Sequence, residues 1–341
     1  MSHKVVTFGE IMLRLSPPGY QRFVQATSFD AVYGGGEANV AVSLANYGCE
    51  AHFVTKVPSH EIGQCAINAL RALGVHTEFI ARGGDRLGIY YCESGASQRP
   101  SKVIYDRADS SISRVGPGEF DWDAILSGAS WFHFTGITPA LGDGPAAATL
   151  EAVKAAKRLG VKVSADLNYR KKLWSPEKAS AVMSGLMEYV DVVIGNEEDA
   201  EKVFGIKAGT SDVTRGELCH KGYREVAREL VKRFGFEKVA ITLRESLSAS
   251  DNNWSGMLYD GAEFHLSRKY QVHTVDRVGG GDSFAGALVY ALLEGMPGPQ
   301  AVEFAAAASC LKHSIIGDFN LVGLSEVQVL AGGDASGRVQ R

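Results

Sequence analysis

Apolar positions recur along the chain with two periods, and the switches between them mark out its elements. Short runs rich in β-branched and aromatic residues at 5–8, 51–57, 131–135, 161–167, 190–194 and 238–243 read as buried strands. Helical stretches fall between them at 61–73, 144–159, 176–189, 197–204 and 223–234. Gly48, Gly74 and Gly160 stand where a helix end calls for a left-handed residue. Strands alternating with helices of this length predict a mostly parallel sheet covered on both faces. Two later runs, 254–259 and 263–270, read as an antiparallel addition, and two alanine-rich helices at 283–294 and 299–312 finish the core.

Two segments break this alternation. Residues 10–32 are polar and alternating, with Pro17, Pro18 and Gly19 in their midst. Residues 87–93 and 102–107 carry Tyr and Val and are joined by a Ser/Gly/Pro connection, the pattern of a hairpin. Together, 11–33 and 87–113 predict a small four-stranded lid on a three-layer α/β/α domain. That domain spans 1–330, followed by a frayed polar tail over 331–341.

Composition narrows the field. The 341 residues are 45% hydrophobic and 22% charged, enough for one large α/β core with an accessory sheet. A net charge of −4 without any Lys/Arg block argues against nucleic acid or an anionic membrane as partner. The five cysteines are scattered without a C-x-x-C pair, which suits reduced, mostly buried thiols rather than a disulfide frame or a zinc site. With no apolar run of membrane-spanning length and no signal-peptide core, the expected location is the cytoplasm.

The chemistry concentrates at Gly279, Gly280, Gly281 and Asp282, which lead into a small-residue helix. Bare glycine amides beside a helix start form an anion pocket. A carboxylate at its mouth, Asp282, is placed to take a proton from an attacking hydroxyl. There is no G-x-x-x-x-G-K-[ST], and neither glycine cluster completes G-x-G-x-x-G, since Asn39 and Phe284 occupy the last position. These absences exclude a P-loop enzyme and argue against a dinucleotide Rossmann domain.

Residues 276–288, a Gly-rich Asp motif running into a small-residue helix, and Gly34 to Asn39, a glycine pair before Ala-Asn at a helix start, resemble the signatures of the ribokinase-like (PfkB) sugar kinases. The likeness extends over nearly the whole chain; Arg277 stands where that family usually has Thr, and Gly280 where it has Ala. The resemblance implies an ATP- and Mg²⁺-dependent kinase and leaves a monovalent cation open. It also implies roles: Asp282 as base, with Gly279, Gly280 and Gly281 as the anion hole, and Gly35, Gly36 and Asn39 on sugar hydroxyls. Thr242, Arg244, Asn168, Gly279 and Gly281 would lie toward the nucleotide. Asn196 and Asp199 correspond to an Asn-x-x-Glu element near the metal, acting through water, with Asp in place of Glu.

Within the family the wording is most similar to the sugar-acid kinases that act on 2-keto-3-deoxygluconate. An acidic substrate calls for guanidinium groups, whose planar fork matches a carboxylate. Arg107 on the lid hairpin and Arg170 past a strand end are the candidates, with Tyr90, Tyr105 and Asp318 beside the substrate. A neutral-sugar kinase such as a fructokinase is the alternative within the family, and a catalytically silent sugar-responsive module the alternative outside enzymology. An exposed lid sheet with aromatic residues further predicts a homodimer.

Overall fold

The computed structural model describes residues 2–207 and 220–337. In chain order the strands are β1 (Lys4–Phe8), β2 (Met12–Ser16), β3 (Asp30–Gly34), β4 (Glu50–Val57), β5 (Ile80–Arg82), β6 (Gly88–Glu93) and β7 (Lys102–Asp106). They continue with β8 (Trp131–Thr135), β9 (Lys162–Asp166), β10 (Val192–Gly195), β11 (Lys238–Ser246), β12 (Asp251–Tyr259), β13 (Phe264–Leu266) and β14 (Tyr270–His273). The main sheet has the order β13-β12-β11-β10-β9-β8-β1-β4-β5, with β14 also on β12. All neighbours from β5 to β11 pair in parallel. Strand β12 returns antiparallel on β11, and β13 and β14 both pair with it.

The apolar runs are continuous because both faces of the sheet are covered. Along β1, Val5 points into one core with helices Gly36–Asn46, Gly280–Leu293 and Gly298–Lys312. Val6 and Phe8 point into the other, with helices Asp143–Arg158, Pro176–Met187 and His220–Phe234. The result is the expected three-layer ribokinase-like architecture. Among the described residues no helix is long and apolar enough to cross a membrane.

The second sheet has the order β3-β2-β6-β7, drawn from the two segments that interrupt the alternation. Its underside is a small apolar patch of Met12, Tyr90 and Cys92, with Val103 and Val278 against it.

Several boundaries differ from the sequence reading. Residues 111–114 form a 3-10 turn whose Ile112 is buried in the main core, so the end of the expected lid segment belongs to the domain. A further helix, Leu324–Gly332, crosses the expected boundary at 330; it docks Val327 and Leu330 on the core, and Glu326 Oε2 caps the Gly323 amide at 2.8 Å. Its short apolar stripe sits between glycines, which hid it from a periodicity search. The run 263–270 splits into two strands because Arg268 leaves the sheet to pair with Glu303 at 3.0 Å. Cys49, Cys65, Cys92 and Cys310 are free thiols, though Cys65 is exposed; Cys219 and the tail residues 338–341 lie outside the described residues.

Candidate active site

In a parallel sheet the carboxyl ends of all strands open on one edge, where helix starts also converge. Here that edge collects Glu10 after β1, Asp166 at the end of β9, and the starts of helices Gly36–Asn46 and Gly280–Leu293. The latter helix begins three residues earlier than its apolar pattern suggests. Gly279 adopts a left-handed φ of +85° and its carbonyl accepts from the Ser283 amide at 2.8 Å, which starts the helix on glycines. Asp282 therefore lies in the first turn, where backbone amides have no carbonyl of their own helix to bond.

Close approach explains the glycines. A Cβ on Gly279 would stand 2.0 Å from the Asp318 carbonyl oxygen, and one on Gly35 would stand 1.9 Å from that of Glu10. A Cβ on Gly280 would meet the His313 ring at 2.5 Å, whereas one on Gly281 would meet nothing within 4 Å. Gly281 thus faces open space, while its two predecessors are pressed against protein.

Asp282 sits at the floor of the cleft, surrounded by protein yet still reached by solvent. Its Oδ2 accepts from Asn39 Nδ2 at 2.6 Å, and Gly36 packs beside Oδ1. Burial pushes its pKa up to about 6; Asp318 adds to the rise, against the Asn39 hydrogen bond and the charges of Arg170 and Lys312. A carboxylate poised there is a competent base near neutral pH.

The guanidinium groups occupy the same cleft. Arg107 Nη2 pairs with buried Glu10 at 2.7 Å and its plane lies 4.7 Å over the Tyr105 ring, while its buried Nε has no hydrogen-bond partner among the described residues. Arg170 donates to the Tyr169 carbonyl at 3.1 Å and has no carboxylate within ion-pair distance among the described residues. Tyr90 donates its hydroxyl to Asp318 Oδ2 at 2.5 Å. Arg14, which sequence reasoning missed, holds Asp318 at 2.9 Å and Asp276 at 2.7 Å; all three are buried. Asp318 is thus no surface turn residue but the junction of lid, cleft and carboxyl-terminal loop.

Beneath Arg170 lies a second group of acids. Burial, then Asp199 and Asp282, push the Asp166 carboxyl well above its usual range, and burial raises Asp199 to about 6. Asp199 accepts from the Tyr169 and Asn196 amides at 3.0 and 3.2 Å, and Asn196 Oδ1 accepts from the Glu198 and Asp199 amides at 2.9 and 3.0 Å. Both side chains expected near a metal therefore also lock a helix start. Raised, incompletely compensated carboxylates are hard oxygen donors of the sort Mg²⁺ takes, directly or through water. Asn168, between Asp166 and Arg170, is held at a left-handed φ of +38°, a strained conformation for a residue other than glycine.

Gly35, Gly36, Asn39, Tyr90, Tyr105, Arg107, Asn168, Arg170, Asp282 and Asp318 all line one cleft. Tyr105, Arg107 and Arg170 also border an adjoining cavity of about 950 Å³ whose other charged walls are Arg114, Lys171, Lys172 and Asp109. Thr242 and Arg244 do not line the cleft; they lie on β11 opposite Gly256 and Trp254 of β12.

A further buried acid escaped the sequence reading. Glu37 accepts from the Thr135 amide at 2.9 Å and from the Thr135 and Thr138 hydroxyls at 2.8 and 2.6 Å, leaving Oε2 unpartnered. Burial raises its pKa to about 7. It ties the first turn of helix Gly36–Asn46, and so Asn39, to the end of β8. Only its place beside the glycine pair could have singled it out.

A family model described as pfkB family carbohydrate kinase matches residues 2–318. A 2-dehydro-3-deoxygalactonokinase of Haloferax volcanii is 36% identical over 98% of this chain and 99% of its own. A 2-dehydro-3-deoxygluconokinase of Thermoproteus tenax is 30% identical over 92% of this chain and 89% of its own. The crystal structure of a 2-dehydro-3-deoxygluconokinase from Thermotoga maritima is 54% identical with a TM-score of 0.94, covering 97% of this chain and all of that one.

Proposed function

The chain belongs to the pfkB family of carbohydrate kinases, and from that premise we propose that it transfers the γ-phosphoryl group of ATP to the terminal primary hydroxyl of 2-keto-3-deoxygluconate, giving the 6-phosphate. The observation that carries the acidic substrate is the pair Arg107 and Arg170 in the cleft that holds Asp282. Arg107 has an unspent buried Nε, and Arg170 has no carboxylate partner among the described residues. The relatives named above include kinases for both C4 epimers, so 2-keto-3-deoxygalactonate is a second candidate of the same chemical class.

In this reading Arg107 and Arg170 grip the substrate carboxylate, and Tyr90, Asn39 and the bare Gly35–Gly36 backbone bound the sugar chain. Asp282 takes the proton of the terminal hydroxyl as its oxygen bonds to phosphorus and the bond to the ADP oxygen breaks. The amides at Gly279, Gly280 and Gly281 hold charge on the moving phosphoryl group. Asp166, Asp199 and Asn196 would hold Mg²⁺, directly or through water, and the ion when bound would neutralise phosphate charge. Lid closure excludes water from ATP. The exposed edge strand β7 suits a homodimer formed lid to lid.

An ADP-release assay across sugar acids and neutral sugars tests the proposal. Turnover should favour the acids, and Arg107→Ala should raise KM for them by ~10–100-fold, the worth of a lost charged hydrogen bond. Equal turnover of fructose, with KM insensitive to Arg107→Ala, would replace this reading with a neutral-sugar kinase.

A further inference from the structure

Away from the cleft, the opposite end of the sheet brings three metal-binding side chains together. His52 is the third residue of β4, and the extended segment after helix Glu61–Arg71 runs beside it. That segment pairs in parallel, His52 opposite His76: the His76 amide donates to the Ala51 carbonyl at 2.8 Å, and the Phe53 amide to the His76 carbonyl at 3.0 Å. The register stacks the two imidazoles, with centroids 4.5 Å apart and planes at 22°. Glu78 follows in the turn that the Ile80 amide closes on the Thr77 carbonyl at 3.2 Å, which brings its carboxylate to both rings. Its Oε1 stands 2.7 Å from His52 Nδ1 and its Oε2 stands 3.9 Å from His76 Nδ1.

We propose that His52, His76 and Glu78 form a binding site for one borderline divalent transition-metal ion, Zn²⁺ being the best fit. The candidate ligand atoms lie within 4.8 Å of one another. Two imidazole nitrogens and one carboxylate oxygen make a tetrahedral zinc set with the fourth position left to water. Ligands ~2.0–2.2 Å from a tetrahedral ion sit about 3.3 Å apart, so the group must draw in. The parts that move are exposed: His76 and Glu78 have about half their side-chain surface in solvent, 48% and 49%, whereas His52 is only 7% exposed and fixed.

A second observation points to a ligand. The buried His52 Nδ1 makes no aligned hydrogen bond among the described residues, and its contact is the half-exposed Glu78 carboxylate at 2.7 Å. Phe79 backs the His52 ring at 5.5 Å between centroids. The nearest cation, Lys4, is held by the Ser127 carbonyl at 2.9 Å and lies over Phe79. The ion has no part in phosphoryl transfer, because the helix start bearing Asp282 and the strand end bearing Asp166 are at the far edge. It cross-links the 76–78 connector to the sheet.

The test uses the full-length, tag-free chain stripped by a chelator and titrated with Zn²⁺, and separately with Co²⁺, in excess Mg²⁺ to occupy hard carboxylate sites. The expected result is one equivalent of Zn²⁺ bound with a raised thermal midpoint, and a visible d–d band with Co²⁺. His76→Ala and Glu78→Gln, both exposed and safe for folding, should each lower the Zn²⁺ affinity by more than ~10-fold and abolish the midpoint shift. Kinase turnover should stay unchanged in both. No uptake by the native chain, or uptake that both variants retain, would overturn the site.

Discussion

At the residue scale, Asp282 is the group on which turnover depends in the proposed mechanism. Asp282→Asn keeps the shape and the contact with Asn39 but cannot accept a proton. It should cost ~10²–10⁴-fold in kcat with KM little changed. Because the carboxylate is the working form and its pKa is raised to about 6, kcat/KM should fall as pH drops below about 6. A pH profile flat down to pH 5 would contradict the assignment. Glu37 makes a prediction of another kind. Its native pKa of about 7 exceeds the ordinary glutamate value of 4.5, so the native state holds its proton more tightly than the unfolded chain. That stability is fully present below pH 4.5 and lost as pH rises through about 7. Glu37→Gln should therefore match the native chain near pH 4.5 and exceed it at pH 8, by up to ~3 kcal/mol, in urea unfolding at both values. A gap that does not widen with pH would remove the claim. Asp282 and its glycines were legible in the sequence as a candidate site, because three glycines lead straight into a helix start. Glu37 and Arg14 were not, because nothing in a single sequence separates a buried charge from an exposed one.

At the element scale, the start of helix Gly280–Leu293 separates two uses of glycine. Gly279→Ala would force a Cβ into the Asp318 carbonyl and strain a left-handed φ, so the thermal midpoint should fall along with activity. Gly281→Ala meets no protein, so the fold should hold while turnover drops, because the added methyl enters the open space by the helix amides. Loss of stability in both variants alike would mean that Gly281 is structural as well. The lid shows the same division between pattern and placement. Its strands were visible as polar, alternating runs, but the join of β2 beside β6 is a parallel pairing across a long intervening stretch, which local pattern cannot state.

At the scale of the whole molecule, Arg14 fastens the lid to the carboxyl-terminal loops through residues far apart in sequence. Arg14→Ala leaves Asp276 and Asp318 buried without their cation and should cost ~3–5 kcal/mol in chemical denaturation. A loss under 1 kcal/mol would show that the acids are relieved by water or protonation instead. The outer lid face, where Ile104 is 53% exposed, is where the proposed lid-to-lid dimer would form. Ile104→Asp should shift sedimentation from dimer toward monomer; an unchanged dimer would place the contact elsewhere.

The local pattern alone settled the alternation of strands and helices, the existence of a separate small sheet, and the glycine run that leads into helix Gly280–Leu293. These depend on periodicity and on residues that few other conformations accept. The tertiary structure decided which charges meet: Arg14 with Asp276 and Asp318, and Arg107 with Glu10. Such pairings join residues far apart in sequence, so they come from how sheet, lid and loops close on one another, and their energies arise only once water has been excluded.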